Sequence, residues 1–195
     1  EPPLKDAAHK PGYLDAKDRF LLYVGAAFPH KNLPALVDAL QLIDEQPDIK
    51  LVLAGKKEYY YDKLDKHVAR KEYADRVITP GFVSDAELKW LYQHCQAYVF
   101  PSLSEGFGLP GLEAMVHGAP VVSSNATCLP EIYGDAALYF NPSNTEDMAQ
   151  KIDRVLSDTI FRKELIQKGK AQAEKYSWRR MAEQTLDVYK KALGE

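Results

Sequence analysis

Short apolar segments alternate with longer amphipathic segments along most of this chain. The apolar segments have the length of strands and lack polar alternation, which is typical of parallel strands buried on both faces of a sheet. The alternation predicts an α/β fold, a Rossmann-like open parallel six-stranded sheet with helices on both faces. The predicted strands lie in FLLYVGA (20–26), IKLVLAG (49–55), RVITPGFVS (76–84), AYVFPS (97–102), APVVSS (119–124) and AALYFNP (136–142).

The segments between the strands carry leucine, valine and isoleucine at helical spacing. Asn32 is the predicted N-cap of a helix that runs to about residue 46, and Ser84 with Glu87 has the spacing of a capping box. A further helix opens with Tyr59–Tyr61, whose rings either pack on the helix surface or form a contact patch. After the last strand the pattern predicts three more helices, over 145–158, 159–177 and 178–195.

The composition is that of an ordinary globular protein, and it argues against some classes of function. The net charge of -3 gives no reason to expect a nucleic-acid partner. No apolar run approaches the roughly 20 residues that cross a bilayer, so membrane association is not indicated. Cys95 and Cys128 have neither metal-ligand spacing nor the pattern of a disulfide framework, so we expect reduced, partly buried thiols and a cytoplasmic protein.

The segment before the first predicted strand has a different character. Residues 1–19 are polar and contain prolines, which is typical of a linker or docking arm. The first residue is Glu1 rather than methionine, so we expect an excised part of a longer protein. Residues 20–195 are long enough for one domain with a sizeable core.

A glycine-rich segment follows the fourth predicted strand and places two glutamates around a predicted helix start. Ligands of open parallel sheets bind beyond the carboxyl ends of the strands, where this segment lies. Pro110 is favoured in a first helical turn, so unpaired N–H groups and the positive end of the helix dipole would suit a diphosphate there. Glu113 suits the hydroxyls of a ribose, and Glu105 those of a sugar ring. In the alternative, Glu105 or Ser104 caps the helix and Glu113 is solvated.

Two further loops reach the same edge of the predicted sheet. Lys31 and His30 put positive charge where a departing phosphate would need it, unless Lys31 is a solvated surface residue. The loop that contains them has no G-x-G-x-x-G and no G-x-x-x-x-G-K-[ST] pattern, so the nicotinamide and flavin fingerprint is absent. In the loop after the third strand, Val83 can pack against a flat base, although Ser84 and Asp85 are good helix starters without any ligand.

These segments together resemble the C-terminal, donor-binding domain of glycosyltransferase family 4, whose members are retaining enzymes of the GT-B architecture. The resemblance covers roughly residues 20–189. Its most specific part is the glutamate pair with its glycine turn, placed before G-A-P-V-V. The other matching segments are YVG…HKNL, LVLAG, GFVSDAEL…LY, LPEIYGDAALYFNP and YSWRRMAEQTLDVY.

The resemblance implies roles for individual residues. Glu113 matches the glutamate that binds the ribose of the sugar nucleotide. Glu105 matches the glutamate near the hydroxyls of the donor sugar, which is the one connected with catalysis, and Lys31 matches the lysine that neutralises the leaving diphosphate. Val83 and Asp85 occupy the loop that meets the base. The backbone amides expected against the donor sugar and the diphosphate are those of Gly106, Phe107, Gly108 and Leu109.

Two positions depart from the family pattern. Ala26 stands where many members carry a second, phosphate-binding arginine, so Lys31 acts alone or shares the work with His30. His117 stands where a small residue is usual, which we interpret as a packing variation.

The resemblance implies a hexosyltransferase that moves a hexose from a nucleoside-diphosphate sugar to an acceptor hydroxyl with retention at the anomeric carbon. Asp85 can accept a hydrogen bond from a guanine edge, which favours GDP-mannose or a related donor over a UDP-hexose. The N-terminal GT-B domain, the expected partner that supplies the acceptor site, is absent from this chain, so we expect the fragment alone to be inactive. No metal and no cofactor is expected. Two alternatives stay open: a non-catalytic nucleotide-sugar-binding module and a GT-B-like sugar-nucleotide epimerase.

Overall fold

The computed structural model describes residues 7–43 and 46–194. Its strands are β1 (Phe20–Val24), β2 (Lys50–Ala54), β3 (Val77–Gly81), β4 (Ala97–Phe100), β5 (Val121–Ser124) and β6 (Ala137–Phe140). They form one six-stranded sheet in the order β3-β2-β1-β4-β5-β6, and every neighbouring pair is parallel. The open parallel sheet predicted from the apolar segments is thereby confirmed.

Nearly all side chains of β1, β2, β4 and β5 are buried. Because successive side chains of a strand point to opposite faces, the sheet is covered on both of them. The helices are α1 (Leu33–Leu40), α2 (Tyr59–Val68), α3 (Asp85–His94), α4 (Leu109–Val116), α5 (Leu129–Tyr133), α6 (Thr145–Ser157), α7 (Thr159–Ala173) and α8 (Trp178–Leu193). This is the Rossmann-like architecture expected from the sequence.

The strand order changes direction between β1 and β4. β2 and β3 lie on one side of β1, whereas β4, β5 and β6 lie on the other. At such a switch point the loops that follow the two neighbouring strands leave a crevice beyond the carboxyl ends. The topology therefore brings the loop after β1 and the loop after β4, which the sequence marks as candidate ligand loops, to the same place.

The predicted helix caps have different outcomes. Ser84 caps α3 with a full capping box: its hydroxyl accepts from the Glu87 N–H, and the Glu87 carboxylate accepts from the Ser84 N–H. Asn32 is the N-cap residue of α1, as predicted, but its side chain makes no capping hydrogen bond. Its backbone is left-handed with φ of 58°, and its side chain donates instead to the Pro142 carbonyl at 2.9 Å. Helix α1 ends at Leu40, earlier than predicted.

The two ends of the chain pack differently on the domain. Residues 1–6 of the predicted linker or docking arm lie outside the described residues, but Leu14 is buried in the core and the His9 N–H donates to the Ala86 carbonyl. At the other end, α8 has no buried residue. Within residues 7–43 and 46–194, no helix has both the length and the apolar character that crossing a membrane requires.

Candidate active site

Two side chains singled out from the sequence form an ion pair at the switch point. The Lys31 ammonium donates to Glu105 Oε1 at 2.6 Å. The two loops are also joined through their backbones, since the Leu103 N–H donates to the His30 carbonyl at 2.7 Å. The fold therefore brings together the two residues predicted to be catalytic, although 74 positions separate them in the chain.

The Lys31–Glu105 pair is shielded from solvent. The side chain of Lys31 is 19% exposed and that of Glu105 is 11% exposed. The Lys31 ammonium also lies 5.7 Å from the centre of the Phe100 ring, within the range of a cation–π contact. The alternative that Lys31 is a solvated surface lysine is contradicted. Since screening by water is weak at such a position, the attraction is stronger than in an exposed pair.

Buried tyrosines hold the loop that carries Lys31. The Tyr23 hydroxyl donates to the Ala26 carbonyl, and the Tyr61 hydroxyl donates to the Gly25 carbonyl, each at 2.9 Å. Burial raises the pKa of both phenols, so they stay protonated and act as donors. Of the three consecutive tyrosines, Tyr61 is thus a packing residue, while Tyr59 is largely exposed.

The backbone of Glu105 is held by a residue that the sequence did not single out. The Thr127 hydroxyl accepts from the Glu105 N–H and donates to the Glu105 carbonyl, each at 3.1 Å. The Cys128 thiol donates to the same carbonyl. Thr127 has a φ of 51°, which is uncommon for a β-branched residue. Nothing in the local sequence indicates this contact, because it depends on how two distant loops meet.

Helix α4 begins as predicted, with Pro110 in its first turn. Its N-cap residue is Gly108, with φ of 92°, and no side chain accepts a hydrogen bond there. The alternative that Glu105 or Ser104 caps this helix is therefore contradicted. Because α4 follows β4, the positive end of its dipole faces the edge of the sheet where Lys31 and Glu105 lie.

The glycines before and within α4 serve different purposes. A Cβ on Gly106 would meet nothing within 4 Å, so a ligand can approach its backbone. Gly108 and Gly111 instead make room for Tyr133: a Cβ would lie 2.4 Å and 2.3 Å, respectively, from the Tyr133 hydroxyl oxygen. That hydroxyl donates to the Gly108 carbonyl at 2.6 Å. The backbone of Gly106 is thus open, whereas Gly108 is buried, and a contact of either amide with a donor stays a prediction.

Glu113 lies about one turn into α4 and is half-buried, not fully solvated as the alternative proposed. The Tyr92 hydroxyl, from α3, donates to Glu113 Oε2 at 3.3 Å. The Tyr92 ring is stacked on His117 with centroids 5.6 Å apart and planes 6° apart. Burial raises the pKa of Tyr92 well above its usual value and lowers that of His117. His117 therefore packs as a neutral ring, as its interpretation as a packing residue requires.

The residues predicted to meet the base, in the loop after β3, differ in their exposure to solvent. Val83 is only 9% exposed and belongs to the core, whereas the neighbouring Phe82 is 80% exposed. Asp85 is exposed at the start of α3. A contact of Val83 or Asp85 with a base stays a prediction, and Phe82 offers the larger open apolar surface in this loop.

The remaining candidate residues, His30, Phe107 and Leu109, are exposed. His30 is exposed and its ring stacks on Phe28, with centroids 5.9 Å apart. Phe107 and Leu109 are each 39% exposed, and the Phe107 ring makes an edge contact with Tyr176. In the part of the chain that the structure describes, no group of three or more His, Cys, Asp or Glu side chains is arranged to hold a metal ion.

The family of the chain follows from comparison with known proteins. The model of the family described as "Glycosyl transferases group 1" matches residues 5–172. The chain belongs to this family. Its sheet and helices match the C-terminal domain of a GT-B glycosyltransferase.

Individual relatives agree with that assignment. The chain is 38% identical over 173 residues to O-antigen chain mannosyltransferase B of Escherichia coli. The matched segment covers 88% of this chain and 45% of the relative. A sucrose-phosphate synthase from Thermosynechococcus elongatus has a TM-score of 0.81 at 27% identity, over 93% of this chain and 47% of that one.

A second similar structure is that of Anabaena HepE in complex with UDP and glucose. It has a TM-score of 0.81 at 23% identity, over 90% of this chain and 49% of that one. At this identity the likeness is one of fold. The chain spans about half the length of each of these proteins.

Proposed function

We propose that this chain is the donor-binding domain of a retaining, family 4 glycosyltransferase that transfers a hexose from a nucleoside-diphosphate sugar to an acceptor hydroxyl. The observation that carries the proposal is the shielded Lys31–Glu105 ion pair beside the open backbone of Gly106 and the start of α4. This arrangement offers one cation, one carboxylate and a helix dipole within a single crevice.

The chemistry of the donor explains why these groups belong together. A leaving diphosphate is stabilised by fixed positive charge, which Lys31 and the N-terminus of α4 supply. When a phosphate reaches Lys31, the ammonium exchanges its Glu105 partner for the phosphate. Glu105 then accepts from hydroxyls of the donor sugar, and Glu113 accepts from the ribose diol. On this proposal His30 and the backbone from Gly106 to Leu109 line the diphosphate and the sugar, without a metal or a cofactor.

Relatives support the class of donor. The E. coli relative is named as a mannosyltransferase, and HepE has been solved with UDP and glucose. We propose GDP-mannose or a similar hexose donor first and a UDP-hexose second, because the exposed Asp85 can accept from a guanine edge.

The acceptor site belongs, in this proposal, to another part of the polypeptide. The E. coli relative is more than twice as long as the matched segment, since the match covers 45% of it. We propose that the partner is an N-terminal GT-B domain, that the whole enzyme works in the cytoplasm, and that this chain alone binds the donor without turnover.

Calorimetric titration of the chain with GDP, UDP, GDP-mannose and UDP-glucose tests the proposal. Lys31→Ala and Glu113→Ala should each weaken binding of the preferred nucleoside diphosphate by about ten- to a hundredfold, because a charge-assisted hydrogen bond contributes about 1.5–3 kcal/mol. Glu105→Gln should leave that affinity unchanged or raise it, since it removes the carboxylate that competes for Lys31.

Lys50→Ala is the matched control. Lys50 forms a comparable ion pair with Asp18 at 2.7 Å, but it lies at the amino end of β2, at the opposite edge of the sheet. It should leave nucleotide affinity unchanged. The proposed function would be contradicted if the wild-type chain bound none of these nucleotides at millimolar concentration. It would also be contradicted if Lys31→Ala and Lys50→Ala lost nucleotide affinity to the same extent.

A further inference from the structure

We propose that Tyr92 is a positioning residue for nucleotide recognition, because its buried hydroxyl orients the carboxylate of Glu113 toward the ribose. This inference rests on the proposed function, in which Glu113 binds the ribose diol. Tyr92 lies on α3 and touches no proposed ligand, so it acts through Glu113 alone.

The tyrosine is a rigid donor. Its side chain is 1% exposed, and its ring is stacked on His117 and in tilted contact with Tyr98 at a centroid distance of 5.8 Å. The backbone of Tyr92 is also engaged, since its carbonyl accepts from the Cys95 thiol. A ring fixed from several directions holds its hydroxyl at one point, and that point is 3.3 Å from Glu113 Oε2.

The protonation of Tyr92 suits this role. Burial and the nearby carboxylate both raise the pKa of Tyr92, so the phenol stays protonated and its O–H donates a hydrogen bond to Glu113. A phenol bonded to one oxygen of a carboxylate restrains the plane of that carboxylate. The bond therefore orients the Glu113 carboxylate that, on the proposed function, accepts from the two adjacent hydroxyls of a ribose.

A purely structural explanation would be that the bond only satisfies a buried hydroxyl. Tyr98 argues against it. Its hydroxyl is buried in the same aromatic cluster and has no hydrogen-bond partner among the described residues. This core thus tolerates a buried tyrosine hydroxyl without a bond, so burial alone does not account for the contact between Tyr92 and Glu113.

The test compares affinities for GDP and for 2′,3′-dideoxy-GDP in the wild-type chain, Tyr92→Phe and Tyr98→Phe. The wild type should prefer GDP. Tyr92→Phe should reduce that preference roughly three- to tenfold, because an oriented hydrogen bond is lost, whereas Tyr98→Phe should retain it. The ratio of two affinities is insensitive to a lower fraction of folded protein, so general destabilisation does not imitate the effect.

Each outcome bears on a separate claim. An unchanged preference in Tyr92→Phe, or an equal loss in Tyr98→Phe, overturns the role of Tyr92. A wild-type chain that binds GDP without any preference, or a Glu113→Ala variant that keeps the full preference, refutes the ribose role of Glu113 and with it this part of the proposed function. A second measurement needs no variant: the Tyr92 ring resonances should shift on addition of GDP and not on addition of the dideoxy nucleotide, and no difference would contradict the inference.

Discussion

Replacing Gly111 by alanine should destabilise the domain through a clash with one buried side chain. The added Cβ would lie 2.3 Å from the Tyr133 hydroxyl oxygen, 2.4 Å from Cζ and 2.9 Å from Cε1. Tyr133 has no room to move, because it is fully buried and its hydroxyl is bonded to the Gly108 carbonyl at 2.6 Å. Either the ring shifts and breaks that bond, or the start of α4 moves away from Tyr133 and α5.

The expected cost combines three contributions. Overpacking of a core typically costs about 1–3 kcal/mol, and losing the Tyr133–Gly108 hydrogen bond costs about 1 kcal/mol more. The better helix propensity of alanine returns about 1 kcal/mol. The net loss of about 2 kcal/mol should lower the melting temperature by about 4–8 °C for a chain of this size, measured by calorimetry or circular dichroism.

Gly106→Ala is the control within the same segment. A Cβ there meets nothing within 4 Å, so the melting temperature should stay within about 1–2 °C of the wild type. The same methyl group would occupy space proposed for the ligand, so affinity for a nucleotide sugar should fall. A wild-type melting temperature for Gly111→Ala, or equal losses of stability in both variants, would refute the division between a packing glycine and an open one.

Two other regions give predictions of their own. Thr127→Val keeps the shape of the side chain but removes the hydroxyl that holds the Glu105 peptide, so it should reduce the preference for GDP-mannose over GDP severalfold. Thr127→Ser keeps the hydroxyl and should retain that preference. An equal preference in the two variants would contradict the role of the hydroxyl. Hydrogen bonds from Ser84 lower the pKa of Glu87, so its contribution to stability is present above its unfolded pKa and is lost as the pH falls through its folded pKa. Glu87→Ala should therefore have a lower free energy of unfolding than the wild type at pH 7. When stability is measured as a function of pH, this difference between the two proteins should become smaller below about pH 4.

Features with a local cause could be predicted from the sequence. The apolar segments predicted the strands, and their lack of polar alternation indicated a sheet covered on both faces. Pro110 marked the start of α4, and Ser84 with Glu87 marked that of α3. In each case neighbouring residues alone decide the backbone conformation, so no knowledge of the fold was needed.

Features that depend on distant contacts could not be predicted. Asparagine is a common N-cap residue, yet the side chain of Asn32 donates a hydrogen bond to the Pro142 carbonyl, 110 positions away. The pairing of Lys31 with Glu105 required the two loops to meet, and spacing alone left both residues open to ordinary explanations. The sequence assigns no chemical role to Thr127 or to Tyr92, the last residue of the matched segment GFVSDAEL…LY, so only the folded chain reveals what they touch.

Positive backbone φ angles outside glycine occur at Asn32 and Thr127 among the described residues. Asn32 directly follows Lys31, and Thr127 bonds to the peptide of Glu105. Glycine adopts such angles without strain, so a programme that selects for heat resistance would consider it at these positions. Each replacement would also remove side-chain hydrogen bonds, from Asn32 to Pro142 or between Thr127 and Glu105, so we expect the gain at the backbone to be offset and the two loops of the ion pair to loosen. On the proposed function, such a programme would have to screen donor binding beside melting temperature.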